Sequence, residues 1–179
     1  MSKKVLVLSG SPRKAGNSDL LCDQFIKGSA ESGHQVEKIF LRDKEVNYCI
    51  ACYKCKNTNG KCTFDDDMAE ILEKMIEADV IVMATPVYFY SINAQLKTLI
   101  DRTVARYTEI RDKEFYFMMT AAVESRQKLD STLECLRGFT DCLSGAREKE
   151  VIYGTGAWKK GEIKGTAAMD QAYQAGRNI

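Results

Sequence analysis

The chain has 179 residues, of which 45% are hydrophobic and 28% are charged. This length and composition are typical of one globular domain rather than of a disordered or fibrous protein. The 26 Lys and Arg residues nearly balance the 25 Asp and Glu residues, so the net charge gives no electrostatic reason to bind nucleic acid or an acidic membrane surface.

Two further features narrow the class. The apolar run at 5–8 is shorter than the core of about 7 to 15 residues in a secretory signal, and no run reaches the roughly 18 residues of a membrane span. We therefore expect a cytoplasmic protein.

The one histidine, His34, falls where a helix turns into a strand, and we expect it to be a solvated turn residue. Mechanisms that need a catalytic histidine are nearly excluded.

The first half of the chain predicts strands alternating with helices. Short, continuously apolar runs indicate strands buried on both faces, and spacings of three and four indicate amphipathic helices. The predicted elements are a strand at 5–8, a helix from Asn17 or Ser18 to about Gly33, a strand at 36–41, a helix over 68–76 and a strand at 78–84. Three aspartates, 65–67, lie at the start of the 68–76 helix, where its positive end favours acids.

The second half continues the same alternation. It predicts a helix over 93–106, a strand at 115–121, a helix over 126–143, a strand at 150–153 and a helix over 167–175. Five strands separated by helices favour an α/β protein with an open parallel sheet and helices on both faces. We interpret 1–179 as a single domain with a cysteine-rich insertion at about 42–64.

The segment 9–18, after the first strand, has the composition of a phosphate site. Ligands of such sheets bind beyond the carboxyl ends of the strands. Backbone N–H groups at the helix start, the hydroxyls of Ser11 and Ser18 and the amide of Asn17 could surround a terminal phosphate. Neither GxGxxG nor GxxxxGK[ST] is present, so a monophosphate is preferred to a dinucleotide or a triphosphate. An ordinary polar turn is the alternative.

The segment 85–92, after the third strand, places three aromatic residues beside Pro86. A stiff aromatic loop at a strand end could line a flat ring system, with backbone N–H groups bonded to the ring edge. No side chain is then needed as a catalytic acid or base. The alternative is that these aromatic residues pack on a neighbouring subunit, and both interpretations can hold together.

Four cysteines are crowded into a short segment, with the spacing CxxCxxC and a fourth cysteine seven positions later. They are Cys49, Cys52, Cys55 and Cys62. This spacing can offer thiolates to an iron-sulfur cubane. Zinc held by four thiolates is one alternative, although structural zinc usually pairs two separated CxxC motifs. Reduced or partly disulfide-linked thiols are the other alternative.

Together, these motifs resemble those of the flavodoxin-like NAD(P)H-dependent FMN reductases, in particular the iron-sulfur flavoprotein branch. The motifs are Gly10-Ser11-Pro12-Arg13-Lys14 with Gly16-Asn17-Ser18, the cysteines followed by Asp66-Asp67-Met68, Thr85-Pro86-Val87-Tyr88-Phe89, and Gly154-Thr155-Gly156 before Gly161 and Lys164-Gly165-Thr166. The resemblance runs over almost the whole chain. It implies a flavodoxin-like, doubly wound, five-stranded parallel sheet of order 2-1-3-4-5.

The resemblance also implies the cofactors and their residues. FMN would be held at its phosphate by Ser9, Ser11, Arg13, Asn17 and Ser18, along its ring by Thr85, Pro86, Val87, Tyr88 and Phe89, and at its other edge by Thr120, Ala121 and Ala122. A [4Fe-4S] cluster on the four cysteines is the candidate metal group. NADH or NADPH would be the reductant, and the protein would be a homodimer or homotetramer.

The implied activity is hydride transfer from NAD(P)H to FMN, with electrons passed to a small acceptor (a quinone, a flavin or a nitroaromatic) or to a redox partner. Neither nucleic acid nor membrane is an expected partner. One alternative is an electron carrier, flavodoxin-like or of the iron-sulfur flavoprotein type, without NAD(P)H turnover. A weaker alternative is an interaction module in which the cysteine segment only binds a structural metal.

Overall fold

Five parallel strands form one sheet in a computed structural model that describes all residues, 1–179. The strands are β1 (Lys4–Ser9), β2 (Gln35–Phe40), β3 (Val80–Pro86), β4 (Glu114–Thr120) and β5 (Arg147–Gly154). Their order across the sheet is β2-β1-β3-β4-β5, and every neighbouring pair is parallel. The predicted α/β class and strand order are confirmed.

Five helices connect and cover the strands. They are α1 (Asn17–Glu31), α2 (Met68–Glu77), α3 (Ala94–Arg102), α4 (Asp130–Thr140) and α5 (Ala167–Arg177). Between β2 and α2, the only helical structure is in two short 3₁₀ segments, Leu41–Asp43 and Lys54–Asn57. None of the helices is both long and apolar enough to cross a lipid bilayer.

Side-chain alternation along the strands divides the core into two layers. In β1, Leu6 and Leu8 pack on the side of α2, α3 and α4, whereas Val5 and Val7 pack on the side of α1 and α5. Successive side chains of a strand point to opposite faces, so a strand covered on both faces must be apolar throughout. This explains why the central strands are continuous apolar runs in the sequence.

Helices α1 and α5 approach each other through glycine. A Cβ atom added at Gly28 would lie 2.2 Å from the Tyr173 carbonyl oxygen, and one added at Gly176 would lie 2.1 Å from the Phe25 carbonyl oxygen. Only a residue without a Cβ allows backbones to come this close. Helix α1, whose start borders the cleft described below, is therefore held along its second half by a helix from the other end of the chain.

Several boundaries differ from the predicted ones. Strand β5 begins at Arg147, because its first residues are polar and exposed on an edge strand and so leave no apolar signal. Helix α1 is capped by Gly16 rather than by Asn17 or Ser18. His34 is half-buried, and its Nδ1 accepts a hydrogen bond of 3.1 Å from the Lys3 backbone N–H. It therefore joins β1 to the turn before β2, which corrects the prediction of a merely solvated residue.

We predict that Gly176→Ala destabilises the fold by about 1 to 3 kcal/mol, the usual penalty for forcing extra volume into a packed contact. Gly138→Ala in α4 is the matched control, because a Cβ atom there meets nothing within 4 Å. The control should gain about 0.5 to 1 kcal/mol from helix propensity. Urea unfolding of both variants measures the difference, and equal stability of the two would refute the close-contact argument.

Candidate cofactor-binding site

A cleft of about 170 Å³ opens at the carboxyl edge of the sheet, beside β1 and β3. The chain runs outward from β1 to β2 and then returns to β3 on the other side, so the strand order reverses here. Ligands of open α/β sheets bind at such a switch point. The cleft is lined by Ser11, Arg13, Gly16, Asn17, Ser18, Pro86, Val87, Tyr88, Thr120, Ala121, Ala122, Ala157, Trp158 and Lys160.

All but three of the predicted FMN residues line this cleft. The exceptions are Ser9, Thr85 and Phe89. The hydroxyls of Ser9 and Thr85 are buried and hydrogen-bonded behind the cleft, whereas the Phe89 side chain is fully exposed to solvent. The first two therefore support the loops from behind. Four lining residues were not among those predicted to hold FMN: Gly16, before α1, and Ala157, Trp158 and Lys160, which follow β5.

The start of α1 offers several donors without acceptors. The backbone N–H groups of Asn17 and Ser18 make no hydrogen bond within the chain, and no side chain caps this end of the helix. Ser18 is a buried residue that lines the cleft, and its hydroxyl makes no hydrogen bond within the chain. Helix N-termini with free N–H groups bind anions. Arg13 and Lys160 add two exposed cations to the cleft, neither of which forms an ion pair.

A buried carboxylate lies beneath this loop. Asp19 accepts hydrogen bonds from the Ser9 hydroxyl at 3.1 Å and from the Ala15 N–H at 2.8 Å. Lys38 of β2 neutralises it with an Nζ–Oδ1 distance of 2.5 Å. Although burial acts in the opposite direction, hydrogen bonds to Asp19 and Asp23 raise the pKa of Lys38. The charge on Asp19 is thus balanced before any anion binds above it.

Asn17 has a different task from the predicted one. Its Nδ2 group donates to the carbonyl oxygens of Ala157 at 3.2 Å and Lys159 at 2.9 Å, and its Oδ1 atom accepts from the Gly161 N–H at 2.9 Å. Both side-chain N–H groups are therefore used within the chain. The side chain of Asn17 ties the loop after β5 to the start of α1, and only its backbone N–H remains available to an anion.

A second asparagine joins the loops after β1 and β3. The Asn93 side chain is buried and donates to the Gly10 carbonyl oxygen, while its own N–H donates to the Thr85 hydroxyl at 3.1 Å. The Gly10 N–H in turn donates to the Ala84 carbonyl oxygen at 2.8 Å. A Cβ atom at Gly10 would lie 2.8 Å from both Ala84 O and Asn93 Oδ1, so this junction requires glycine.

The aromatic loop forms a tight turn that contains no glycine. Tyr88 and Ser91 exchange two backbone hydrogen bonds of 3.1 and 3.0 Å. The two central residues, Phe89 and Tyr90, have φ values of 50° and 58°, a conformation for which Asn-Gly is usual. Each costs on the order of 1 to 3 kcal/mol of strain. The Ser131 hydroxyl holds the turn against α4 by donating a hydrogen bond of 2.6 Å to the Tyr90 carbonyl oxygen.

Backbone donors at the cleft are more limited than the sequence indicated. The N–H groups of Val87 and Tyr88 are already used, the first by the Thr120 carbonyl oxygen at 2.8 Å. In contrast, the N–H groups of Phe89 and Ala122 make no hydrogen bond within the chain. Ala122 lines the cleft, and Phe89 directly follows the lining residue Tyr88, so both N–H groups are left for a ligand. Neither is distinguishable in the sequence from its neighbours.

The cysteine segment, residues 49–62, curls around a second cavity of about 150 Å³. All four cysteines line it, together with mainly apolar side chains. Positive φ values at Ala51 and Tyr53, of 52° and 58°, reverse the chain between the first three cysteines. No cysteine is in a disulfide. The predicted quartet therefore shares one cavity, at a place separate from the cleft.

The geometry of the quartet bears on the kind of metal it could hold. No three His, Cys, Asp or Glu side chains converge as the ligands of a single ion. Zinc requires sulfur atoms about 2.3 Å from one centre, whereas a cubane distributes its thiolates over four irons. The four thiols thus line one apolar cavity without forming a ready-made site for a single ion.

The predicted role of the three aspartates at the start of α2 needs correction. Asp66 is buried and forms two hydrogen bonds with Arg102, and Asp67 accepts a 2.7 Å bond from the Glu45 N–H. Although burial acts in the opposite direction, hydrogen bonds from Arg102 and Asn47 lower the pKa of Asp66 to about 2. These carboxylates hold the cysteine segment as well as starting a helix.

Comparison with known proteins agrees with this geometry. Residues 3–141 match the model of a protein family described as NADPH-dependent FMN reductase. The chain belongs to this family. The matched region contains the loops after β1, β3 and β4 as well as the cysteine segment, and it ends before β5.

Several similar curated proteins are named iron-sulfur flavoproteins. One from Methanocaldococcus jannaschii is 51% identical over 100 residues, which are 56% of this chain and 51% of that protein. One from Archaeoglobus fulgidus is 40% identical over 99 residues, which are 55% of this chain and 44% of that protein. The chain thus spans about half the length of the curated relatives it matches.

Solved structures agree on the fold over nearly the whole chain. An NAD(P)H:quinone oxidoreductase from Methanothermobacter marburgensis has a TM-score of 0.72 at 18% identity, covering 99% of this chain and 97% of the other. An FMN-dependent NADH-azoreductase from Bacillus anthracis, solved in complex with FMN, has a TM-score of 0.75 at 18% identity, covering 98% of each chain. At this identity the likeness shows a shared fold.

Proposed function

We propose that this protein is an FMN-dependent oxidoreductase that takes hydride from NADH or NADPH and reduces a small acceptor such as a quinone, a flavin or a nitroaromatic, or passes electrons to a redox partner. The observation that carries the proposal is the set of free donors at the start of α1. The free N–H groups of Asn17 and Ser18, the unpartnered Ser18 hydroxyl and the cation of Arg13 meet at the switch point of the sheet. Such a set suits a terminal phosphate dianion.

The rest of the cleft suits the ring of FMN. Pro86, Val87 and Tyr88 form one wall and Ala121 and Ala122 form the other. FMN, when bound, supplies the hydride and electron chemistry itself. The chain's residues therefore need only to hold the phosphate, orient the ring and direct the free N–H groups of Phe89 and Ala122 at its edge. We assign no catalytic acid or base.

The strained turn supports a role at the open side of the ring. Strain persists where the surrounding structure imposes it, and it is concentrated at functional sites. The exposed rings of Tyr88, Phe89, Tyr90 and Trp158 lie around or next to the cleft. A monomer rarely exposes so many aromatic side chains together without a function. Contact with a nicotinamide, an acceptor or a second subunit would cover them, and a homodimer or homotetramer stays our prediction.

The cysteine quartet is proposed to hold a [4Fe-4S] cluster. The proposal is supported by the common cavity of the four thiols, their lack of disulfides and the iron-sulfur names of the similar curated proteins. The same quartet favours a second candidate function, an electron carrier without NAD(P)H turnover, because a cluster alone can pass single electrons to a partner. NAD(P)H oxidation separates the two.

Anaerobic mixing with NADH and with NADPH tests the proposed reaction. We expect the visible flavin absorption of the FMN-loaded protein to bleach with at least one of them, faster than that of free FMN at the same concentration. The bleached protein should then be reoxidised by a quinone. Protein that is bleached by dithionite but by neither nucleotide would be the electron carrier instead.

Ser18→Ala is predicted to weaken FMN binding by about 1.5 to 3 kcal/mol, the typical value of a hydrogen bond to a charged group. The dissociation constant should rise by a factor of about 10 to 150. The stability of the FMN-free protein should be unchanged, because the hydroxyl has no partner in the chain. Fluorescence titration with FMN measures the effect, with Ser32→Ala at the far end of α1 as the control. Equal affinity in both variants would remove Ser18 from the site.

If the four cysteines hold the proposed cluster, protein prepared without oxygen should contain about four iron atoms per subunit. Changing Cys49, Cys52, Cys55 or Cys62 to Ser should lower the iron content while FMN is retained, since the cleft and the cysteine cavity have no lining residue in common. Cys142→Ser, an exposed cysteine beyond α4, is the control and should keep its iron. An iron content near zero in the wild type would contradict the proposed cluster and would leave the flavin proposal unaffected.

A further inference from the structure

An arginine and an aspartate that are almost fully buried lie beneath the cysteine segment. The side chains of Arg102, at the end of α3, and Asp66 are 2% and 1% exposed. They form a bidentate pair, with Nη1–Oδ2 at 2.7 Å and Nη2–Oδ1 at 2.9 Å. Neither residue lines the FMN cleft, so the proposed flavin chemistry does not account for the pair.

Such a pair is poor evidence for stability alone. Desolvating two charges offsets most of their attraction, and apolar residues of similar volume are often as stable. A buried ion pair is better attested as a device that fixes one arrangement of the chain. The question is therefore what this pair fixes.

Its other hydrogen bonds answer that question. Arg102 Nη1 also donates a hydrogen bond of 2.6 Å to the carbonyl oxygen of Asn47. Asp66 Oδ2 accepts from the N–H of Asn47 at 3.0 Å and from its side-chain Nδ2 at 3.2 Å. Asn47 and Asp66 flank the cysteine segment on either side. The pair thus joins the point where the chain leaves the core to the point where it returns.

Arg102 also faces the cavity itself. It lines the cavity together with all four cysteines, and its guanidinium carbon lies 5.1 Å from the centre of the Phe64 ring. An arginine has five N–H donors, and only three of the hydrogen bonds from this guanidinium are made to oxygen. The Nε–H and the second Nη2–H are thus left without an oxygen acceptor.

We propose that Arg102 and Asp66 are a positioning pair that closes the base of the cysteine segment and so presets its four thiols for the cluster. The inference rests on the cluster of the proposed function. Closing a flexible loop and fixing its backbone both oppose binding with conformational entropy. A segment whose ends are already joined has less of this entropy to lose when the cluster binds.

The test uses a double variant, Arg102→Met with Asp66→Leu, because removing one partner alone would leave a buried charge and risk unfolding. The matched control is Arg137→Met with Glu148→Leu, a two-bond pair on α4 and β5 far along the chain from the cysteines. Trypsin cleavage after Lys54, Lys56 and Lys61 is measured in the metal-free, FMN-loaded protein. Iron uptake is then measured by anaerobic reconstitution, with FMN content as the check on folding.

We expect the double variant to keep its FMN, to be cleaved within the segment roughly tenfold faster, and to take up less iron than the wild type at the same iron supply. A tenfold change corresponds to about 1.4 kcal/mol in the opening equilibrium. The control should match the wild type. Cleavage and iron uptake equal to those of the wild type would overturn the positioning role.

The two proposals fail differently. Wild-type protein that takes up no iron would overturn the cluster and, with it, the purpose assigned to this pair, even if the double variant were cleaved faster. Wild-type protein that takes up iron, together with a double variant that takes it up as readily, would overturn the role of the pair alone. Loss of FMN from the double variant would also count against the inference, because it would show a general effect on the fold.

Discussion

Asn17 and Asn93 determine the shape of the cleft, because each asparagine side chain ties the β1–α1 loop to a neighbouring loop. Asn93 reaches Gly10 from the loop after β3, and Asn17 reaches Ala157 in the loop after β5. Backbone bonds complete the circle: Val87 bonds to Thr120, and Ala121 bonds to both Gly154 and Ala157. Four loops are thus joined in a ring around the cleft. A site joined in this way loses little entropy on binding a ligand, which favours affinity.

The fold is predictable because local sequence patterns specify its strands and helices. Buried parallel strands are continuous apolar runs, and the helices between them are amphipathic, so the alternation of β and α could be read directly. The strand order came from the resemblance to a known family, since periodicity does not specify which strands are neighbours. The start of β5 is not predicted, because its residues are polar and the strands are recognised by their apolar runs.

The details of the site were less predictable, because they depend on contacts between distant positions. An asparagine at a helix start can bond an anion or a carbonyl oxygen equally well. Asn17 bonds the Lys159 carbonyl oxygen, 142 positions away, and no feature of the sequence marks that pairing. The pairing of Asp19 with Lys38 is not predictable, because in the sequence two charged residues on a helix and a strand look the same whether they form a pair or are solvated separately. The burial of Asp19, which only the structure shows, distinguishes this pair and places it beneath the β1–α1 loop.

Helix α3 connects the two candidate redox sites. Asn93, which joins the loops of the cleft, is the residue directly before its first turn, and Arg102, which joins the two ends of the cysteine segment, is its last residue. Nine residues of α-helix span about 14 Å, and the buried side chains of Leu96 and Leu99 fix this helix to the sheet. One short, well-packed element therefore sets the spacing between the loops of the cleft and the thiols. Because each end holds its site through its own side chain, replacing Asn93, or Arg102 together with Asp66, should disturb one site and leave the other intact.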